Sequence, residues 1–200
     1  MRLGIFLLTA SALYGQTAAE GAMSGEERAW LRSHLESSRD KLLAAVEGMT
    51  AEQWDFQPDA TTWSVANVLE HLILTEGYFQ EATKKMLADA PKPRIATATP
   101  EGDRKFAERI IDRSKKAKAP EMLIPTKQWP TLENAVGEFI VRRQKSIDYI
   151  SQTQDALRAH SGGASPTDVY QYWSLVSAHS MRHTAQIEEL KAHPGFPKNK

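Results

Sequence analysis

The sequence contains no cysteine among its 200 residues. This absence excludes disulfide bonds, thiolate ligands for a metal ion and cysteine nucleophiles. Any catalysis by this chain must therefore depend on histidines, carboxylates, hydroxyl groups or a bound ion.

The chain also lacks an excess of charge of either sign, because Lys+Arg and Asp+Glu both total 25. Proteins that bind nucleic acid usually carry a basic surplus, so no nucleic-acid partner is predicted. A Gly-rich phosphate loop, a G-x-S-x-G motif and an internal repeat are missing as well. The common nucleotide-binding and serine-hydrolase classes are thereby disfavoured.

Long apolar runs are missing except near the N-terminus, where about a dozen apolar residues follow Arg2. A run of this length is typical of a signal peptide and too short to span a bilayer. Small residues follow it, and cleavage after Gly15 or Ala19 would suit a signal peptidase. We predict a signal peptide over residues 1–19 and a periplasmic or secreted domain over residues 20–200, without stable membrane insertion. An uncleaved anchor or a disordered N-terminus are the alternatives.

The remaining sequence has the pattern of an all-α protein, since apolar residues recur at helical spacing and few segments alternate at period two. Ser24 and Glu27 form a capping-box pattern, and Gly48 is predicted to end the first long helix. Ser64 is predicted to cap the second long helix. A weaker helical segment then precedes the third.

The third long helix is predicted over residues 131–160, with five apolar residues facing inward: Val136, Phe139, Ile140, Ile147 and Ile150. The last helix is predicted to start with Ser165 as N-cap, Pro166 at its first position and Asp168 in its first turn. Four long helices with a helical excursion between the second and third predict an up-down four-helix bundle.

Two histidines of the last helix occupy positions where a bundle normally buries apolar residues. His183 shares its heptad position with Val176, and His179 shares the next core position with Tyr172. Residues four apart on a helix are neighbours, so both imidazoles can reach one ion. Burying two unpaired imidazoles would cost roughly several kcal/mol in lost solvation, so we expect them to share a partner.

The second helix provides a third imidazole, because His71 lies at mid-helix on the flank of its apolar stripe. In an antiparallel bundle this point can face the middle of the last helix. Three histidines with space for water or substrate are a common metal environment. We therefore predict a metal site at His71, His179 and His183, whereas His34, His160 and His193 are predicted to lie on surfaces.

Two motifs resemble those of a known family. The segment "TTWSVANVLEHL" is similar to the second-helix signature of the DinB-like family, and "HSMRHTAQIEEL" looks like its final His-x-x-x-His motif. The resemblance implies a four-helix bundle whose divalent metal, often nickel or zinc, is held by His71, His179 and His183. It also implies a homodimer, since many members are dimers.

The resemblance implies a reaction less specifically. Some relatives activate a small thiol for transfer or isomerisation, others are described as metal-dependent hydrolases, and many have no known activity. The motif "HSMRH" lacks the Glu of His-Glu-x-x-His peptidases. A signal peptide would also remove the chain from the cytosolic thiol pool.

Three polar residues could assist the site, each with a simpler structural interpretation. Tyr78 could bond a metal-bound ligand or merely pack. Gln186 could orient an imidazole or join two helices. Glu76 could act as a base or form a buried ion pair.

Two hypotheses of function follow. One is a metal-dependent enzyme, hydrolase or transferase, that acts on an unidentified small molecule. The other is a non-catalytic metal-binding or stress-related bundle protein of the cell envelope. An enzyme needs an open coordination position, whereas a structural site should be closed by a fourth protein ligand.

Overall fold

The computed structural model describes residues 21–115, 117–162 and 167–198, and the regular structure of these residues is helical. The helices are α1 (Gly25–Val46), α2 (Ala51–Trp54), α3 (Val65–Ala88), α4 (Pro100–Ile111), α5 (Leu132–Gln152) and α6 (Val169–Lys191), with a 3-10 helix at Glu121–Leu123. An isolated β-bridge pairs Ser161 with Asp168. Among these helices, none combines the length and apolar character needed to cross a bilayer. The predicted signal peptide lies outside the described residues.

The starts of α1 and α3 confirm the predicted caps. The Ser24 hydroxyl accepts from the Glu27 backbone N–H, and the Glu27 carboxylate accepts from the Ser24 N–H. Ser64 caps α3 in the same reciprocal way with Asn67. Each box satisfies backbone donors that have no partner inside the helix. Helix α1 ends just before Gly48, whose φ of 67° lies in the left-handed region.

The predicted start of α6 was wrong. The helix begins at Val169, and its N-cap is Asp168, whose side chain accepts from the Gln171 N–H. Ser165 and Pro166 lie outside the described residues. The buried Arg158 guanidinium holds the Asp168 carboxylate at 3.0 Å, which places a strong acceptor at this point of the chain.

The predicted end of α5 and two burial assignments were also wrong. Helix α5 stops at Gln152, because the Thr153 hydroxyl bonds locally with Asp155 and favours a turn over a further helical turn. His160 therefore follows the helix and is only 8% exposed rather than on the surface. Phe139 is buried as predicted, but the adjacent Ile140 lies off the buried stripe of α5 and is 39% exposed.

Each of the four long helices packs against two of the others. Helix α1 packs against α5 and α6, and α3 packs against the same two helices. The segment between α3 and α5 packs against the long helices: α4 packs on α6, and the 3-10 helix contacts α3. These contacts bring the middle of α3 next to the middle of α6.

Candidate metal centre

Three histidine side chains from α3 and α6 converge on one point. The Nε2 atom of His179 lies 3.3 Å from Nε2 of His71 and 3.1 Å from Nε2 of His183. Their candidate ligand atoms all lie within 4.8 Å of one another. His71 and His183 are buried, and His179 is partly buried. The structure thus brings together the three histidines that the sequence singled out.

Hydrogen bonds on the far side of two rings fix which nitrogen carries the proton. The Nδ1 atom of His71 is 2.8 Å from the carbonyl oxygen of Leu123, and a carbonyl can only accept. The Nδ1 atom of His183 is 2.9 Å from Oε1 of Gln186. Each Nδ1 therefore donates, which leaves the Nε2 lone pair of both neutral rings directed at the point of convergence.

His179 is held differently from its two neighbours. Its Nδ1 atom is buried and has no hydrogen-bond partner within the described chain. Its Nε2 atom faces the acceptor nitrogens of His71 and His183. The cluster therefore has more acceptors than donors, an imbalance that a cation at its centre would remove.

Burial keeps the three imidazoles neutral at physiological pH. Desolvation by burial lowers the pKa of His71 and lowers that of His179 well below its usual value. Burial is also the main cause that lowers the pKa of His183 to about 3, and the charges of His71, Arg113 and Arg182 add to it. Neutral imidazoles are the form that binds a metal, so the group could hold a divalent ion without first losing protons.

A buried acid holds the loop that follows the carbonyl bonded to His71. The Glu70 carboxylate is 3% exposed and accepts from the backbone N–H groups of Thr126, Lys127 and Gln128. These bonds anchor the loop that follows Leu123. Sequence reasoning missed this role, although an acid beside His71 on the buried side of α3 was the available signal.

The groups predicted to assist the site have separate outcomes. Gln186 bonds the His183 ring, which is the first of its two alternatives. Glu76 instead forms a buried ion pair with Arg143 at 2.7 Å. Tyr78 is 44% exposed, and its ring packs edge-on against Phe79.

A cavity of about 700 Å³ opens beside His183. Trp63 lines it and also contacts the cluster, with its ring 5.0 Å from the His71 ring and 6.4 Å from the His183 ring, centre to centre. Gln186 lines it too. A small molecule in the cavity would therefore lie next to one of the three imidazoles.

Comparison with known proteins identifies the family. The sequence profile of the DinB superfamily matches residues 34–187, a stretch that includes all three histidines. The chain belongs to the DinB superfamily. It is also 27% identical over 150 residues to the uncharacterized protein YuaE of Bacillus subtilis (strain 168), a match that covers 73% of this chain and 88% of that protein. No solved structure matches the chain significantly.

Proposed function

We propose that this DinB-superfamily chain is a metal-dependent enzyme, a hydrolase or a transferase, that acts on a small molecule beside the three-histidine cluster. His71, His179 and His183 would hold the divalent ion through their Nε2 atoms. The convergence of these atoms, with two of the three Nδ1–H groups already bonded elsewhere, is the observation that carries the proposal.

The donor set supports a catalytic ion over a purely structural one. Within the described ranges, no carboxylate and no further histidine joins the three ligands. Structural zinc sites are normally closed by four protein ligands, whereas catalytic sites keep a position for water or substrate. The cavity beside His183 supplies the space that a substrate needs.

When bound, such an ion would lower the pKa of a coordinated water or thiol and polarise a substrate oxygen. The residues of this chain would orient the site: the Leu123 carbonyl and Gln186 fix two rings, and Trp63 covers the cluster. Imidazole ligands suit nickel and zinc, the ions that the family resemblance implies.

The scaffold and the location belong to the same proposal. The pairing of α1 and α3 with both α5 and α6 supports a four-helix bundle. The apolar N-terminal segment supports a periplasmic or secreted protein. The homodimer implied by the family is the expected assembly.

The ligand assignment is tested by elemental analysis of purified protein after loading with zinc or nickel. Wild type should retain close to one equivalent, and His179→Ala and the double variant His71→Ala/His183→Ala should retain almost none while keeping their helical circular dichroism. The matched control is His34→Ala/His193→Ala, which removes two exposed histidines and should bind like wild type. Stoichiometric metal in His179→Ala would contradict the assignment.

The enzymatic part of the proposal needs a separate measurement. Cobalt-loaded protein should show an absorption spectrum that changes when a small ligand is added, because an open coordination position accepts it. Ester hydrolysis and thiol transfer would then be screened with loaded protein. A spectrum that no added ligand perturbs would favour the non-catalytic alternative.

A further inference from the structure

The cavity beside His183 has an unbalanced charge. Three of its lining residues are cationic, namely Arg113, Lys118 and Arg182, and one is anionic, Glu189. The chain as a whole has no net charge, so this positive surplus is local. A concave, positively charged surface raises the local concentration of anions.

The partners of these cations show which charges are already compensated. Arg113 forms a two-point pair with Glu189, with Nε at 2.7 Å and the second nitrogen at 2.6 Å from the two carboxylate oxygens. Their charges therefore largely cancel.

Among the described residues Arg182 forms no direct ion pair, although its charge acts at longer range on the carboxylates of Asp112 and Glu189. Its guanidinium donates to the backbone carbonyls of Ile110, Asp112 and Lys115, all of which are neutral acceptors. The Asp112 carboxylate bonds Ser114 instead. Lys118 is exposed and forms no ion pair within the part of the chain that the structure describes. The cavity lining thus keeps a positive surplus, in which Lys118 is unpaired within that part of the chain and the charge of Arg182 is only partly offset.

We propose that this cavity binds the oxyanion group of its ligand, a carboxylate or a phosphate, with Lys118 and Arg182 as the recognising cations. The ligand of the enzyme would then be a small organic anion whose reacting end lies toward His183. The inference rests on the proposed function for the reaction, but the anion binding itself requires no metal. It therefore has a test of its own.

The test is calorimetric titration of metal-free protein with inorganic phosphate and with succinate, beside the neutral analogue succinamide. Binding of either anion, without binding of succinamide, is the expected result, and the better anion distinguishes a phosphate from a carboxylate ligand. Affinity should fall as sodium chloride is added, because salt screens exposed charges.

A series of charge variants makes the test quantitative. Lys118→Gln removes one unit charge and should weaken anion binding about fivefold, and Lys118→Glu changes the charge by two units and should weaken it about 25-fold, at a factor of roughly five for each unit charge at contact distance in water. Glu189→Gln should strengthen binding about fivefold, because it frees Arg113. Lys41→Gln is the control, since Lys41 is also exposed but does not line the cavity.

The outcomes separate this inference from the proposed function. No saturable anion binding, or equal affinity in all four variants, would overturn the inference. Binding that appears only after metal loading and ignores the charge variants would also overturn it, while the metal site stands. Anion binding that follows the charge series in a protein that retains no metal would support it, although the proposed function would then fail.

Discussion

Two buried polar clusters join the same helices, α3 and α6, and they are built in opposite ways. In the first, Arg143 is fully buried and donates to Glu76 on α3, to Ser180 on α6 and to the Leu35 carbonyl and Ser38 hydroxyl on α1. In the second, three imidazoles face each other with converging lone pairs. In the first cluster every donor named has an acceptor within the chain, whereas in the second the acceptor nitrogens outnumber the donors.

The difference indicates what each cluster is for. A buried charge with a full set of partners needs nothing from outside, so the Arg143 cluster is a structural connection between helices. Arg158 repeats this design with Glu27, Asp103 and Asp168. The histidine cluster instead directs three Nε2 atoms at one point with too few donors between them, and a cation bound there would complete it.

Removing Arg143 from its buried cluster should reduce the stability of the fold more than any other change proposed below. Arg143→Met would leave the Glu76 carboxylate buried without its countercharge, and we expect a loss of about 3–5 kcal/mol in the free energy of unfolding, measured with urea. The double variant Arg143→Met/Glu76→Leu should recover much of that loss, because no unpaired charge remains. Equal destabilisation in both variants would contradict this explanation.

The histidine cluster should instead make the metal-free protein sensitive to acid. The folded state holds the three imidazoles below their ordinary pKa of 6.5, so below that pH the unfolded state binds more protons than the folded state. The neutral imidazoles therefore favour the folded state fully above pH 6.5, and this stabilisation is lost as the pH falls toward their lowered pKa values. We expect the free energy of unfolding to drop by about 3 kcal/mol between about pH 7 and about pH 5.5.

Urea unfolding in the presence of a chelator, across that pH range, measures this effect. His183→Gln keeps a polar side chain that does not titrate, and it should remove about one third of the pH dependence. The exposed His193 offers the control, because His193→Gln should leave the slope unchanged. Identical slopes in wild type and His183→Gln would show that the buried ring is not kept neutral.

Removing the support of one imidazole should weaken metal binding without abolishing it. Gln186→Leu deprives His183 Nδ1–H of its acceptor, and such changes typically reduce metal affinity about 10- to 100-fold. Gln186→Glu keeps an acceptor at the same place and should retain most of the affinity. Competition with a chromophoric chelator measures both variants, and equal affinities would assign Gln186 a packing role only.

Substitution of Glu70, which supports His71 only through the loop after Leu123, should have the smallest effect on metal affinity. Glu70→Gln keeps the size of the side chain but weakens its bonds to three backbone N–H groups, and we expect about 1 kcal/mol of lost stability. Metal affinity should fall by less than about tenfold, because the Leu123 carbonyl shifts rather than disappears. The exposed Glu52 supplies a control substitution, Glu52→Gln. An unchanged metal affinity in Glu70→Gln would show that the loop anchored by Glu70 does not influence the candidate metal site.

Much of the fold was predictable because its signals are local. Ser24, Ser64 and Gly48 act on backbone groups within a few residues, so their roles can be inferred without knowing the tertiary structure. The histidine spacing on α6 is local in the same sense. Gln186, one turn beyond His183, was predictable for that reason.

The end of α5 is set by a local turn at Thr153, but the other incorrect predictions depended on contacts outside the helix concerned. Asp168 rather than Ser165 is the cap observed for α6, and the buried Arg158 beside it is ten residues away in sequence. The burial of His160 and the exposure of Ile140 likewise depend on which elements pack against them. Helical periodicity alone locates an inward stripe only to within about one residue, a rotation of about 100°.

The sequence by itself determined the helical character of the chain, the absence of cysteine chemistry and the three imidazoles at mid-helix positions, because each depends on residue type and short-range spacing. Only the tertiary structure decided that His71 meets His179 and His183, that the Leu123 carbonyl sets the tautomer of His71, and that Glu76 pairs with Arg143. These relations join atoms far apart along the chain. The physical reason is that hydrogen bonding and electrostatics act through space, so their partners are fixed only when the helices pack.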